Sequence, residues 1–214
     1  MTLDELWQLF PIQLTAYQRD WAAWYREEAA SLVRVLPEIA ILHHIGSTAI
    51  PRIWAKPIID ILVEVDLHEF EVVKPLIETC GYLCMSEGQT RVDFNKGYTP
   101  DGFAQKVFHL HLRGYGDRDE LYFRDYLNQH PEIAKQYETL KLALWKRFEH
   151  DRDGYTNAKT DFVHRYTQKA KSQYEVQVDM GVKRSSKRVV APSTGTIKNF
   201  SINCSVPPLW TWKD

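Results

Sequence analysis

The eight residues IIDILVEV, 58–65, constrain the fold more than any other stretch. Strand alternation puts Ile59, Ile61, Val63 and Val65 on one wholly apolar face and Ile58, Asp60, Leu62 and Glu64 on the other, which carries two carboxylates. Just ahead of it, Ile41, Leu42 and Ile45 read as a short buried strand, followed by the small-residue turn Gly46-Ser47-Thr48-Ala49. Glycine reaches backbone angles closed to other residues, and exposed N–H groups in such a turn cradle anions. Ser47 and Thr48 add hydroxyl donors, and Pro51 and Pro57 stiffen a loop that carries Arg52 and Lys56. The pattern suits a triphosphate held by the turn and a divalent cation held by Asp60, because hard cations take carboxylate and phosphate oxygens together.

A second constellation is FHLHL, 108–112, where alternation places His109 and His111 on one strand face. If this strand neighbours the one bearing Asp60, then Asp60, His109 and His111 form a two-histidine, one-carboxylate set. Zinc, iron or manganese favours such a set more than magnesium does. The plainer alternative has both histidines hydrogen-bonding within a polar cleft and binding no metal. Of His43 and His44, one is expected to face the core with its hydrogen bond satisfied and the other to point at the loop.

The motifs HIGSTAIP, AKPIIDI, HLHL, FRDYL and YTNAKTDF, in this order from about His44 to Phe162, resemble the GrpB or UPF0157 family, whose members look like minimal nucleotidyltransferases of the polymerase-beta-like superfamily. The resemblance implies an α+β, nucleotidyltransferase-like domain with a mixed or antiparallel sheet flanked by helices. It implies a Gly-Ser pair followed after about a dozen residues by an acid, an apolar residue and a second acid. Gly46, Ser47 and Asp60 match that pattern, while the second acidic position is Leu62. Glu64 lies one strand repeat further on the same face, about 6–7 Å away. A glycine is usual in the family after IP, and here that residue is Arg52.

By this resemblance the catalytic candidates are Asp60, Glu64, His109 and His111. Phosphate or nucleotide binding falls to Gly46, Ser47, Thr48, Arg52, Lys56, Arg124 and Lys159, and metal binding to Asp60, His109 and His111. For Arg124 and Lys159 the alternative is a helix salt bridge and a solvated face. The implied reaction moves a nucleotidyl group from a nucleoside triphosphate to a small acceptor with Mg2+ or Mn2+, or with Zn2+ if both histidines ligate. Two alternatives stand beside it: a non-catalytic nucleotide-binding or regulatory module, supported by Leu62, and a metal-dependent hydrolase or isomerase built on Asp60, His109 and His111.

Composition sets the wider limits. At 214 residues and 44% hydrophobic content the chain can build one sizeable core. Lys and Arg total 27 against 28 for Asp and Glu, so whole-molecule charge gives no attraction for nucleic acid or an anionic membrane, and a small molecule is the expected partner. Three cysteines without CxxC spacing argue against a disulfide scaffold, and Cys80 and Cys84 read as small core residues. The start MTLDELWQLFPIQL lacks the basic beginning and apolar run of a signal peptide, and no stretch reaches the roughly 20 apolar residues of a membrane span, so a cytoplasmic protein is expected.

Thr15 and Gln18 have capping-box spacing ahead of a helix carrying Trp21 and Trp24, both assigned to the interior. Further helices are expected over 67–80, 120–129, 131–148 and 155–171, and strands over 82–86, 91–98 and 107–113. The domain is expected to close at residue 171. Residues 172–214 then form an extension that is either disordered or adds an edge strand through Tyr174 to Val178.

Overall fold

The structure, a computed structural model, describes residues 3–179. In chain order its elements are α1 (Leu3–Leu9), α2 (Asp20–Val33), β1 (Ile41–Ile45), β2 (Ile58–Val65), α3 (Phe70–Thr79), β3 (Leu83–Glu87), β4 (Arg91–Thr99), β5 (Gly102–Gly114), α4 (Asp119–Gln129), α5 (Pro131–Arg147), α6 (Arg152–Asn157) and α7 (Thr160–Asp179). The strands form one mixed sheet in the order β1-β2-β5-β4-β3. β2 and β5 run parallel, and the other neighbouring pairs run antiparallel. No helix among the described residues is long and apolar enough to cross a membrane.

The apolar face of β2 is the centre of the main core. Ile59, Ile61, Val63 and Val65 are fully buried there, against Phe108, Leu110 and Leu112 of β5, Trp21 and Leu32 of α2, and Val73 and Ile77 of α3. Each such side chain contributes about 1.5–3 kcal/mol of transfer free energy, which pins the register, since a one-residue slip would send the whole set to the other face. α4 to α7 lie over the opposite face. There Ile45, Leu62 and Leu121 make a small apolar cluster, and Ile50, Ile53, Phe123, Tyr126 and Tyr137 make a larger one.

Several expectations from sequence shift. Thr15 does not cap α2. Its backbone pairs with Ala55 in an isolated β-bridge, and α2 begins later, at Asp20, without a side-chain cap. The helix expected over 155–171 is two, because α6 ends at Asn157 and α7 starts at Thr160. α7 runs on to Asp179, so residues 174–178 are helical and form no edge strand; the rest of the extension, with Cys204, Trp210 and Trp212, lies outside the described residues. Cys84 is exposed rather than in the core, because β3 is the sheet edge and its five residues are all exposed. α1, over Leu3–Leu9, is a helix for which the sequence reading gives no counterpart.

Glu64, a catalytic candidate, is part of the frame. Its side chain is 0% exposed, 2.9 Å from His43 Nε2 and 2.7 Å from the Arg118 Nε that donates to it, with the Gly116 N–H at 3.4 Å. It joins β1 and β2 to the turn ahead of α4. Burial pushes its carboxyl up, but the bonds from His43 and Arg118 outweigh this and hold it below the ordinary carboxylate range. Glu64→Ala is therefore expected to cost about 1–3 kcal/mol in urea unfolding, through the partners left unpaired, while the folded fraction keeps its ligand affinity. Unchanged stability with lost ligand binding would make Glu64 a site residue after all.

Candidate functional site

The turn after β1 lies directly on the Asp60 carboxylate. Gly46 has φ +69°, and a Cβ at that position would stand 2.0 Å from Asp60 Oδ2, so only glycine lets the two meet. Ser47–Ala49 then form one 3-10 turn. The Thr48 hydroxyl donates to the Ile58 carbonyl at 3.2 Å and lies 3.0 Å from His44 Nε2. A hydroxyl has a single proton, so His44 must donate through Nε2. Burial pushes His44 down to about 4, which keeps it neutral as that role requires. Arg124 donates to the His44 carbonyl at 2.7 Å and pairs with Asp125, so it braces the turn from behind.

Parallel pairing sets Asp60 beside His109 and Leu62 beside His111. His109 Nδ1 is 3.3 Å and His111 Nε2 3.8 Å from Asp60 Oδ1. The far nitrogens are also engaged: His109 Nε2 is 2.8 Å from the Tyr98 hydroxyl, and His111 Nδ1 is 2.8 Å from Asp93 Oδ1, which also accepts from Arg113 at 2.7 Å. Burial pushes the Asp60 carboxyl up, yet the hydrogen bonds from His109 and His111 hold it well below the carboxylate range. Burial likewise opposes charge on His111, but Asp60 and Asp93 raise it to about 9.

These residues open onto a cavity of about 500 Å³ between the sheet and α4–α7. Gly46, Ser47, Lys56, Asp60, His109, His111 and Lys159 all line it, together with Tyr137, Lys141 and Tyr155. Three lysines thus converge. Desolvation pushes Lys56 down to about 8 and Lys141 and Lys159 to about 7; the Arg152 charge adds to this at Lys56, while at Lys141 and Lys159 the neighbouring lysines add to it. Lys159 Nζ lies 4.0 Å from the centre of the Tyr155 ring and Lys56 Nζ 5.7 Å from it. Lys141 also donates to the Trp54 carbonyl, whose N–H is held by Glu138, so α5 anchors the Arg52–Lys56 loop from both sides of one residue.

Of the sequence-derived candidates, Thr48, Arg52, Glu64 and Arg124 stand outside the cavity wall. Arg52 has φ +67°, the left-handed region that favours glycine, which accounts for the glycine usual in the family at this point. Lys141, Tyr137, Tyr98 and Asp93 are the residues that sequence reasoning missed. Lys141 and Tyr137 looked like ordinary members of an amphipathic helix. Nothing in the helical spacing sets Lys141 apart from its neighbours, and its 2% exposure emerges only from the fold.

A divalent cation at this site would find the Asp60 carboxylate beside a phosphate-sized turn, a donor set that fits an ion completed by phosphate oxygens. The two-histidine set fits less well. Among the described residues no group of three or more His, Cys, Asp or Glu side chains converges as a metal-binding group. Both histidines approach the same Asp60 oxygen, at 3.3 and 3.8 Å, as hydrogen-bond or ion-pair partners.

The GrpB protein family matches residues 11–169. The UPF0157 protein YqkA of Bacillus subtilis is 34% identical over 179 residues, 79% of this chain and 51% of that protein. The chain thus spans about half the length of that relative. The crystal structure of the conserved protein GrpB from Enterococcus faecalis superposes with a TM-score of 0.66 at 32% identity, covering 76% of this chain and 99% of that one. A more distant likeness, to the Cid1 poly(U) polymerase, has a TM-score of 0.44 at 13% identity over 65% of this chain and 44% of that one. Because the family match runs through every strand and helix that lines the cavity, the chain belongs to the GrpB family.

Proposed function

We propose that the cavity binds a nucleoside triphosphate and transfers its nucleotidyl group to a small acceptor. The observation that carries this reading is the meeting of the Gly46-Ser47 turn, the Asp60 carboxylate and three lysines, Lys141 buried and Lys56 and Lys159 half-buried, in one cavity. Desolvation outweighs the help that Asp60 gives all three and Glu138 gives Lys141, and a polyphosphate would supply further compensating charge. In this reading the turn N–H groups and Ser47 orient the phosphate beside Asp60, and Lys56, Lys141 and Lys159 hold the pyrophosphate portion. The acceptor hydroxyl attacks the α-phosphorus, the bond between that phosphorus and the bridging oxygen breaks, pyrophosphate leaves toward the lysines, and the hydroxyl proton passes to solvent. A divalent ion held by Asp60, when bound, stabilises charge developing on the phosphoryl oxygens.

A second reading has one specific support. Leu62, at the second acidic position, is fully buried with Ile45 and Leu121, and Glu64 is committed to His43 and Arg118. A single carboxylate serves a nucleotide-binding module as readily as a transferase. Calorimetric titration with ATP, with and without Mg2+, followed by 31P detection of pyrophosphate in a mixture of hydroxyl-bearing metabolites, separates the two. Pyrophosphate release supports transfer, binding without release supports the module, and no binding at millimolar ATP ends both.

Lys159→Met is expected to weaken ATP binding roughly 10- to 150-fold, the loss of a charge-assisted contact of about 1.5–3 kcal/mol, with the fold intact. An unchanged Kd would place the phosphates elsewhere.

The pH dependence has a definite sign. Lys141 and Lys159 sit near 7 and Lys56 near 8 in the empty cavity, and phosphate oxygens favour their charged forms. Binding should therefore take up protons at pH 8, and affinity should be greatest below about pH 7 and fall as pH rises above it. Titration in buffers of differing ionisation enthalpy measures the uptake directly. Proton release, or affinity that rises with pH, would contradict the lysine assignment.

A further inference from the structure

Tyr98 reaches the site through an irregularity in β4. The pairing with β5 shifts between Lys96 and Tyr98, and Gly97 between them has φ +91°. A bulge of this kind re-aims the following side chain. The Tyr98 ring is wedged against Phe10 and Phe103, with centroids 4.9 and 5.2 Å away, and lies nearly parallel to the His109 ring. Its hydroxyl has two polar neighbours: Arg152 Nη2, which donates to it at 2.8 Å, and His109 Nε2, also at 2.8 Å.

Donor counting favours one tautomer. A carboxylate only accepts, so Nδ1 beside Asp60 carries the ring hydrogen, and with the guanidinium donating to its oxygen the phenol completes the chain by giving its proton to a bare His109 Nε2. The proton of the neutral imidazole is then on Nδ1, the atom that faces Asp60 at 3.3 Å. A histidine coordinates a metal through a lone pair, and the one facing Asp60 is occupied by hydrogen.

We propose that Tyr98, itself held by Arg152, is a positioning residue that fixes His109 as a hydrogen-bond donor to Asp60, so that the carboxylate takes an oxygen-ligated cation such as Mg2+ or Mn2+ rather than a zinc-type ion shared with both histidines. The inference rests on Asp60 as the cation-binding group of the proposed function, but its central claim, the His109 tautomer, is measurable without any ligand. Two nearly identical histidines on one strand thereby acquire different neighbours: the outer nitrogen of His109 meets a donor phenol, and that of His111 meets an acceptor carboxylate.

The test uses the full chain labelled with 15N. Long-range 1H–15N spectra of the unligated protein should show His109 with hydrogen on Nδ1 and none on Nε2. Tyr98→Phe removes the phenol proton and should shift the ring toward the opposite tautomer, and it should tighten Zn2+ binding by about 10-fold or more, the scale of outer hydrogen-bond effects at metal sites. Mn2+ affinity should stay within about 2-fold. Arg152→Met, which frees the phenol to accept instead, should loosen the tautomer in the same direction while leaving the Tyr98 hydroxyl in place. His109 protonated on Nε2 in the unaltered protein would overturn the proposal, as would Zn2+ bound equally by the unaltered protein and Tyr98→Phe. If Asp60→Asn leaves Mn2+ binding intact, the cation reading of Asp60 fails separately, whatever the tautomer proves to be.

Discussion

The parallel ladder between β2 and β5 makes a site out of residues that lie about fifty positions apart. Its register sets Asp60 against His109 and Leu62 against His111, and the apolar residues behind them, Ile59 and Ile61 on one strand and Phe108 and Leu110 on the other, lock that register by their burial. The polar constellation is therefore held by the core on the other face of the same two strands. β1 then pairs with β2 so that Ile45 lies opposite Asp60, which delivers Gly46 onto the carboxylate. Each later feature, from the turn to the Tyr98 contact, takes its position from this ladder.

The cavity has two electrostatic sides. On the sheet, Asp60 and Asp93 have donors at hydrogen-bonding distance, so their charge is largely satisfied by His109, His111 and Arg113. On the helical side, Lys56 and Lys159 flank one tyrosine ring and Lys141 leans on another; Asp60 favours charge on all three and Glu138 on Lys141, but desolvation outweighs both. Aromatic faces relieve a buried cation only partly. Under the proposed function, this lysine side facing the Gly46-Ser47 turn is what would favour a polyanion.

Much of the frame was legible in the sequence because its signals are local. The alternation in IIDILVEV defines β2 at the observed ends, and Gly81, with φ +84°, closes α3 as a glycine after a helix should. The turn, Asp60, both histidines, Lys56 and Lys159 were likewise readable, and the fold brings them to one cavity. What escaped depends on distant partners. Thr15 looked like a helix cap until its backbone was claimed by Ala55. Arg124 and Glu64 carry the right charge for a phosphate or metal site, yet the first is spent on the His44 carbonyl and the second on His43 and Arg118. Tyr98 was invisible because strand alternation predicts its direction only if the strand is regular, and Gly97 breaks it.

The leucine at position 62 bears on how any chemistry here is organised. Strand geometry places its side chain on the site face, but Ile45 and Leu121 close around it, and a carboxylate put there would lose its hydration. The next residue on that face, Glu64, is already satisfied and fully buried. The site face of β2 therefore offers one available carboxylate, Asp60. Two divalent ions bridged by paired acids have no ligand set on this strand, and under the proposed transfer a single ion shared between Asp60 and the phosphates carries the load, with the lysines taking the charge that a second ion would otherwise neutralise.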